Sequence, residues 1–219
     1  NPVIEGYQIS TFLKSATEIG GDYYDFFYEK GKYFYAICGD ATGHGVISGI
    51  MVSVTKAALS GIPMSTPSRI LEQLNGIVKK VNFGRLRMSL NLVHFQNGSM
   101  KMSSAAMPPM YHYDKKKNEV DEITISNLPL GGLMTEDFAV LDKKFSKDDV
   151  LVMLSDGLPE APNREGELLD YAAVKECIEK NATKSSDEIK DELVKLSDKW
   201  MNGVHNPDDI TIVVCKKKV

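Results

Sequence analysis

Long apolar runs are missing from this chain. No stretch approaches the roughly 18 uncharged residues of a membrane span, and the amino terminus lacks the basic-then-apolar layout of a signal peptide. The expectation is a cytoplasmic domain that does not insert into a membrane. Cysteine is scarce: Cys38, Cys177 and Cys215 form no CxxC pair and no even set, which excludes a disulfide framework. Cys38 and Cys215 fall inside apolar, strand-like runs, the placement of buried free thiols in a reducing compartment. Positive charge is not in excess either. The balance of 26 Lys and Arg against 30 Asp and Glu, formally −4, argues against a nucleic-acid partner and leaves metal cations open.

Two familiar kinds of phosphate chemistry are absent as well. Six residues after Cys38 stands His44, and six after Cys177 stands Thr183, so no arginine closes a cysteine-based phosphate loop. Cys215 has too little chain after it. Gly39 to Gly45 is followed by no Lys-Ser/Thr pair and is no P-loop. There is no internal repeat, linker or low-complexity segment. The 219 residues suit one domain, 1–219. Because the chain does not start with Met, it is expected to be a processed or excised piece of something longer.

What is present centres on the stretch from Tyr33 to Gly45. Tyr33 to Cys38 is apolar and aromatic without alternation, as in a strand covered on both faces. Asp40 follows, then a turn in which Gly43 and Gly45 permit tight backbone. From Val46 the period becomes helical: Ile47, Ile50, Met51, Val54 and Ala58 recur at offsets of three, four, seven and eleven, predicting one apolar helix face. Before this stretch, Tyr7, Ile9, Thr11 and Leu13 alternate as in an opening strand, and a glycine pair precedes Asp22 and Asp25.

After it, Thr66 and Pro67 read as the cap and first residue of a second helix carrying Ile70, Leu71, Leu74, Ile77, Val78 and Val81. Asn97-Gly98 predicts a hairpin between Leu90–Phe95 and Met100–Met102. The basic run from Lys115 to Lys117 reads as a solvated turn, and Leu128 to Leu133 punctuates the chain. Val150 to Leu154 is a second buried strand, again ending in a carboxylate, in Ser155-Asp156-Gly157. Helices near Ala172–Asn181 and Asp187–Trp200 follow, the latter with a capping box from Ser185 to Glu188. Asp208 and Asp209 then lead into a last strand, Ile210–Cys215. This order predicts an α+β fold, a sandwich of two mainly antiparallel sheets flanked by helices.

Asp22, Asp40, Asp156 and the Asp208-Asp209 pair stand out as four acidic points. Three of them lie at the end or start of an apolar strand, where adjacent strands can bring them together. Carboxylates crowded at one edge repel one another unless cations join them. Hard oxygen donors without a Cys or His cluster suit two Mg²⁺ or Mn²⁺ ions rather than Zn²⁺. Two such ions lower the pKa of water and clamp an in-line displacement at phosphorus. Taken singly, each aspartate also reads as an ordinary turn residue.

Glu18-Ile-Gly-Gly-Asp22-Tyr-Tyr-Asp25, Asp40-Ala-Thr-Gly-His-Gly45, Ser155-Asp-Gly157 and Pro207-Asp-Asp-Ile-Thr211 together resemble, in order and spacing, the motifs of the SpoIIE-type branch of the PPM family of metal-dependent serine/threonine protein phosphatases. The resemblance covers nearly the whole chain. It implies a binuclear Mn²⁺/Mg²⁺ centre with Asp22, Asp40, Asp156 and Asp208 as ligands and Ala41 as a backbone-carbonyl ligand. Asp209 takes the place of Asp208 if the local register differs. It further implies a phosphorylated protein substrate, an anti-sigma-factor antagonist, and an upstream sensor domain. It also suggests helices that switch the metal site, with a homodimer open. Two features depart from the pattern. Met107 stands where many relatives have histidine, in Ala105-Ala-Met-Pro-Pro109, and the preceding segment is altered to Arg87-Met-Ser-Leu-Asn-Leu92. His44 is a candidate catalytic residue, for proton transfer or for organising the turn. The alternative from another class is a catalytically weak or silent sensor or interaction module that keeps the fold.

Overall fold

A computed structural model of the chain describes residues 2–132 and 137–218. Leu133, the last residue of the Leu128 to Leu133 punctuation, lies outside the described residues. In chain order the elements are β1 (Tyr7–Lys14), β2 (Asp22–Glu29), β3 (Tyr33–Ala41), α1 (Val46–Gly61), α2 (Pro67–Val81), β4 (Met88–Gln96), β5 (Ser99–Ala105), β6 (Met110–Asp114), β7 (Glu119–Ile123), β8 (Leu141–Lys144), β9 (Val150–Leu154), α3 (Tyr171–Asn181), α4 (Ser186–Met201) and β10 (Ile210–Lys217). The strands form two five-stranded sheets, ordered β1-β10-β9-β6-β7 and β2-β3-β4-β5-β8. All their pairings are antiparallel. The α+β class, two antiparallel sheets with four helices, is the one expected. The chain divides into two compact units, each holding one sheet and two helices.

One unit comprises Thr17–Met107 and Ile125–Lys144. Its sheet carries α1 and α2 on one face, over Tyr35, Ile37, Leu90 and Leu92. Leu59 of α1 and Leu71 and Leu74 of α2 are fully buried there, and each such side chain contributes roughly 1.5–3 kcal/mol through loss of apolar surface to water. The interior strand β3 is buried along most of its length, which explains its lack of alternation. Asn97 and Gly98 both have positive φ, 50° and 73°, as the tight β4–β5 hairpin requires.

Three sequence expectations need correction in this unit. The face of α1 turned to the core is Ser48, Met51, Thr55 and Leu59. Of the face expected inside, Met51 is buried, whereas Ile47 and Ile50 are 56% and 46% exposed, as is the neighbouring Val46 at 62%. The helix phase is set by the turn before it: Gly45, at φ 83°, donates its N–H to the Ile19 carbonyl, and from that anchor Met51 rather than Ile50 points inward. On α2, Thr66 occupies the cap position without a side-chain cap bond, and Val81 is 46% exposed where the helix runs out. Finally, β2 and β8 were not expected as strands. β2 (DYYDFFYE) is a run of β-favouring aromatics masked by its two aspartates.

The other unit comprises Asn1–Ala16, Pro108–Thr124 and Phe145–Val219. Here α3 and α4 cover a core of Tyr111, Val152, Leu154, Ile212 and Val214. The predicted capping box of α4 is formed in both directions between Ser185 and Glu188. Ser10 on β1 meets the start of α4, with its hydroxyl 2.8 Å from Ser186 Oγ and donating to Asp187 Oδ1 at 2.7 Å. Lys216, at the far end of β10, donates from Nζ to the carbonyls of Ala182, Thr183 and Lys184, so a lysine closes the open C-terminal end of α3. Cys38 and Cys215 are buried as expected, while Cys177 on α3 is half-buried.

Candidate metal centre

The β2–β3 register sets Asp22 directly opposite Asp40. Directly opposite residues share a face, and their Cβ atoms lie roughly 4.5–5.5 Å apart. That face is the one turned away from α1 and α2, since the neighbours Tyr23 and Ala41 belong to the core beneath the helices. Two carboxylates in this relation repel each other. Asp22 is buried and Asp40 half-buried, so water screens them incompletely.

The backbone around this pair is held on several sides. Ala41 donates its N–H to the Gly21 carbonyl at 3.0 Å, and Thr42 to the Arg87 carbonyl at 2.9 Å. Gly21 has to be glycine on steric grounds: a Cβ there would fall 2.6 Å from the Ala41 carbonyl oxygen and 3.3 Å from Asp40 Oδ1. A side chain would fill the space beside two oxygen atoms that the resemblance makes ligands. His44 lies exposed on the following turn and makes no hydrogen bond or ion pair among the described residues.

In the other unit, β9 runs into Ser155-Asp156-Gly157, which is stitched to the segment leading into β10. Ser155 donates its N–H to the Thr211 carbonyl, Thr211 donates back to Ser155 Oγ at 2.9 Å, and Asn206 Nδ2 donates to the Gly157 carbonyl at 2.7 Å. The crossing is so close that a Cβ at Gly157 would lie 1.9 Å from the Asp209 carbonyl oxygen. Asp156 Oδ1 is sealed from water with no hydrogen-bond partner among the described residues. Its carboxyl is pushed above the ordinary range, first by burial and then by the charges of Asp208 and Glu160.

Asp208 and Asp209 have different surroundings. Asp209 is 6% exposed, and its Oδ1 accepts the Ala16 N–H at 2.7 Å, tying the end of β1 to the start of β10. Asp208 is exposed, and its Oδ1 accepts the Asp209 N–H at 2.8 Å.

Two neighbours of Asp156 are not among the candidates drawn from the sequence. Glu160 donates its N–H to the Asp156 carbonyl at 2.8 Å. The Tyr171 hydroxyl is pushed up to about 12 by burial and by the carboxylates of Glu160, Asp156 and Glu122. Glu160 was detectable, lying one helical turn beyond Asp156; Tyr171 was not. Met107, the departure from the family pattern, is buried, and its N–H donates to Ser104 Oγ at 3.3 Å.

The carboxylates thus come as pairs, Asp22 with Asp40 and Asp156 with Asp208. Among the described residues no group of three or more His, Cys, Asp or Glu side chains draws together closely enough to hold a metal ion. Mg²⁺ keeps several waters and is bound through one or two carboxylates plus substrate oxygens, not by an all-protein cage. The buried, unsatisfied Asp156 oxygen and the purely oxygen donor set fit Mg²⁺ or Mn²⁺ on those terms, and they do not suit Zn²⁺.

A family model described as Stage II sporulation protein E (SpoIIE) matches residues 30–218. The chain is 27% identical over 226 residues to the phosphoserine phosphatase RsbU of Bacillus subtilis (strain 168), covering 100% of this chain and 65% of that protein. It therefore spans a little under two thirds of that curated relative. Among solved structures, the SiaA-PP2C domain of Pseudomonas aeruginosa superposes with a TM-score of 0.85 at 18% identity, covering 95% of this chain and 85% of that one. The RsbU and RsbW domains of a Mycobacterium tuberculosis protein give 0.83 at 22% identity, covering 100% and 63%. At these identities the structures establish the shared fold.

Proposed function

The chain belongs to the SpoIIE family, and on that premise we propose that it is a divalent-metal-dependent protein serine/threonine phosphatase. The observation that carries the reading is Asp156, a carboxylate with one oxygen sealed from water and unbonded, set beside the second carboxylate of Asp208. Asp22, Asp40, Asp156 and Asp208 are the ligating carboxylates in this reading, with the Ala41 carbonyl as a further donor. Asp209 holds the loop through Ala16. Bound to these oxygens, two Mg²⁺ or Mn²⁺ ions supply Lewis-acid activation of water and charge neutralisation at phosphorus.

The chain's own groups do the rest. Gly21 keeps space open beside Asp40 and the Ala41 carbonyl. In this reading His44, exposed on the turn between β3 and α1, hands a proton to the departing serine or threonine oxygen. No thiol serves as a nucleophile: Cys38 is buried, and burial pushes the Cys215 thiol up to about 12.

The substrate class in this proposal is a phosphoserine or phosphothreonine on a cytoplasmic signalling protein, an anti-sigma-factor antagonist. Supporting it are the relative named as phosphoserine phosphatase RsbU and the neighbouring structure in which RsbU and RsbW domains share a chain. The partners in this proposal are an upstream sensor segment or a second copy, and the exposed Val46, Ile47 and Ile50 of α1 support it. No helix of the described residues is long and apolar enough to cross a membrane.

The test is Mn²⁺-dependent phosphate release from an aryl phosphate and from a phosphoserine protein. The Asp40→Asn, Asp156→Asn double variant should lose on the order of 100-fold or more, the worth of a few kcal/mol of charge stabilisation at phosphorus, while keeping its circular dichroism spectrum. Full activity in that variant refutes the metal assignment. A wild-type domain inert on both substrates favours the silent module.

A further inference from the structure

Beside Asp208 the same unit opens into a cleft of about 340 Å³ that the reaction as described does not use. One side is the end of β1, from Lys14 to Ala16; the other is the end of α4 and the loop into β10. Met201 and Ile210, 4% and 3% exposed, supply apolar surface at its base with the half-buried Val204. Lys14, His205, Asp198 and Asp208 stand on its rim, all exposed. Its two sides are fixed to one another by the Lys14–Ile210 pairing of β1 with β10 and by the Ala16 N–H donated to Asp209. The cleft is therefore a preformed feature of the unit's framework, not a gap between mobile loops. Its volume lies at the small end of the roughly 300–1,000 Å³ usual for ligand pockets, which suits one or two side chains rather than a cofactor.

We propose that this cleft receives the polypeptide flanking the phosphorylated residue, with an apolar side chain on Met201 and Ile210 and an acidic side chain facing Lys14. The proposal rests on the phosphatase reading, because it is Asp208 as a ligand that brings a phosphorylated residue to the cleft mouth. Lys14 is the one lysine or arginine among the described residues lining the cleft, and among the described residues it makes no ion pair. A single cation of this kind selects an acid by charge complementarity. Asp198 on the rim repels a second one, so the fit is to one acidic residue next to an apolar one and not to an acidic run.

Two phosphoserine nonapeptides probe this, one with leucine and glutamate flanks and one with glycine flanks, alongside p-nitrophenyl phosphate, all with Mn²⁺. Wild type should prefer the leucine/glutamate peptide by about tenfold in kcat/KM, the usual size of a single hydrophobic-pocket discrimination, with the difference in KM. Ser15→Trp, which fills the cleft from an exposed position, should abolish the preference. Lys14→Ala should reduce it about threefold or more, with kcat on the peptide changed less than twofold. Equal kcat/KM for the two peptides in active wild type overturns the proposal, as does a preference that survives both variants. Wild type inactive on all three substrates defeats the underlying phosphatase reading instead, and the cleft assignment with it.

Discussion

The carboxylate of Asp209 is spent on the Ala16 amide, while that of Asp208 stands in solvent beside Asp156. Substitutions at these adjacent residues should therefore separate. Asp208→Asn is expected to lower Mn²⁺-dependent phosphate release about tenfold or more with little change in melting temperature, and to hurt activity more than Asp209→Asn. Asp209→Ala should instead lower the melting temperature by several degrees, since a hydrogen bond to a charged group is worth about 1.5–3 kcal/mol. The opposite ranking in a paired thermal and kinetic assay would reassign the ligand to Asp209. At Asp156 the sign of the pH dependence is unusual. Its folded-state pKa is raised by burial and by Asp208 and Glu160, so the metal-free folded state binds the proton more tightly than the unfolded chain. Stability then falls as pH rises from the ordinary carboxylate value, roughly 3.9, through the raised one. Metal-free Asp156→Asn should accordingly melt about 1–3 °C above wild type at pH 7, with the gap closing by pH 4. Added Mn²⁺ should favour wild type. A variant less stable than wild type at pH 7 in chelator would contradict the repulsion argument.

The helix α1 links the turn bearing His44 to the strands bearing Asp22 and Asp40. Its first residues are tied to Ile19 through the Gly45 amide, and a Cβ at Gly49 would fall 2.5 Å from Ile19 Cγ2. Ile19 lies three residues before Asp22. Gly49→Leu should thus press on the bend leading into β2 and raise the Mn²⁺ concentration needed for half-maximal activity about fivefold or more, without changing KM for substrate at saturating metal. A normally folded Gly49→Leu with an unchanged Mn²⁺ titration would break the link between α1 and the site. Lys56 adds a second tie between α1 and β2, pairing with Asp25 and lying 4.7 Å over the Phe27 ring. In the other unit the corresponding constraint is steric. Asp209 crosses Gly157 with no room for a methyl group.

At the scale of the whole molecule, activity is expected to depend on added metal at every substrate concentration, because the carboxylates are arranged in pairs and not as a closed cage. The isolated domain should bind Mn²⁺ weakly, with chelator removing activity within the mixing time and excess metal restoring it. Hydrolysis should proceed without a phosphoenzyme, since no cysteine, serine or histidine stands in an activated-nucleophile setting. Acid quench with radiolabelled substrate is expected to leave no label on the protein, and Cys38→Ser should remain within about twofold of wild type. Covalent label retained after quench would refute direct attack by water.

Much of this was determined by the sequence alone, for local reasons. Tyr33 to Cys38 is apolar without alternation because both faces of β3 are covered, Asn97-Gly98 can adopt the positive φ of a hairpin turn, and Ser185 and Glu188 are spaced to cap each other. Asp40 and Asp156 were legible for the same reason: each is a polar residue placed where a run of apolar residues stops. Only the tertiary structure decided what depends on pairing and helix phase. The register of β2 on β3 sets Asp22 opposite Asp40, and the hydrogen bond to Ala16 distinguishes Asp209 from Asp208. Ile47 and Ile50 had the right period for a core face yet lie exposed. Periodicity specifies that a face exists, whereas the backbone at Gly45 specifies which face turns inward.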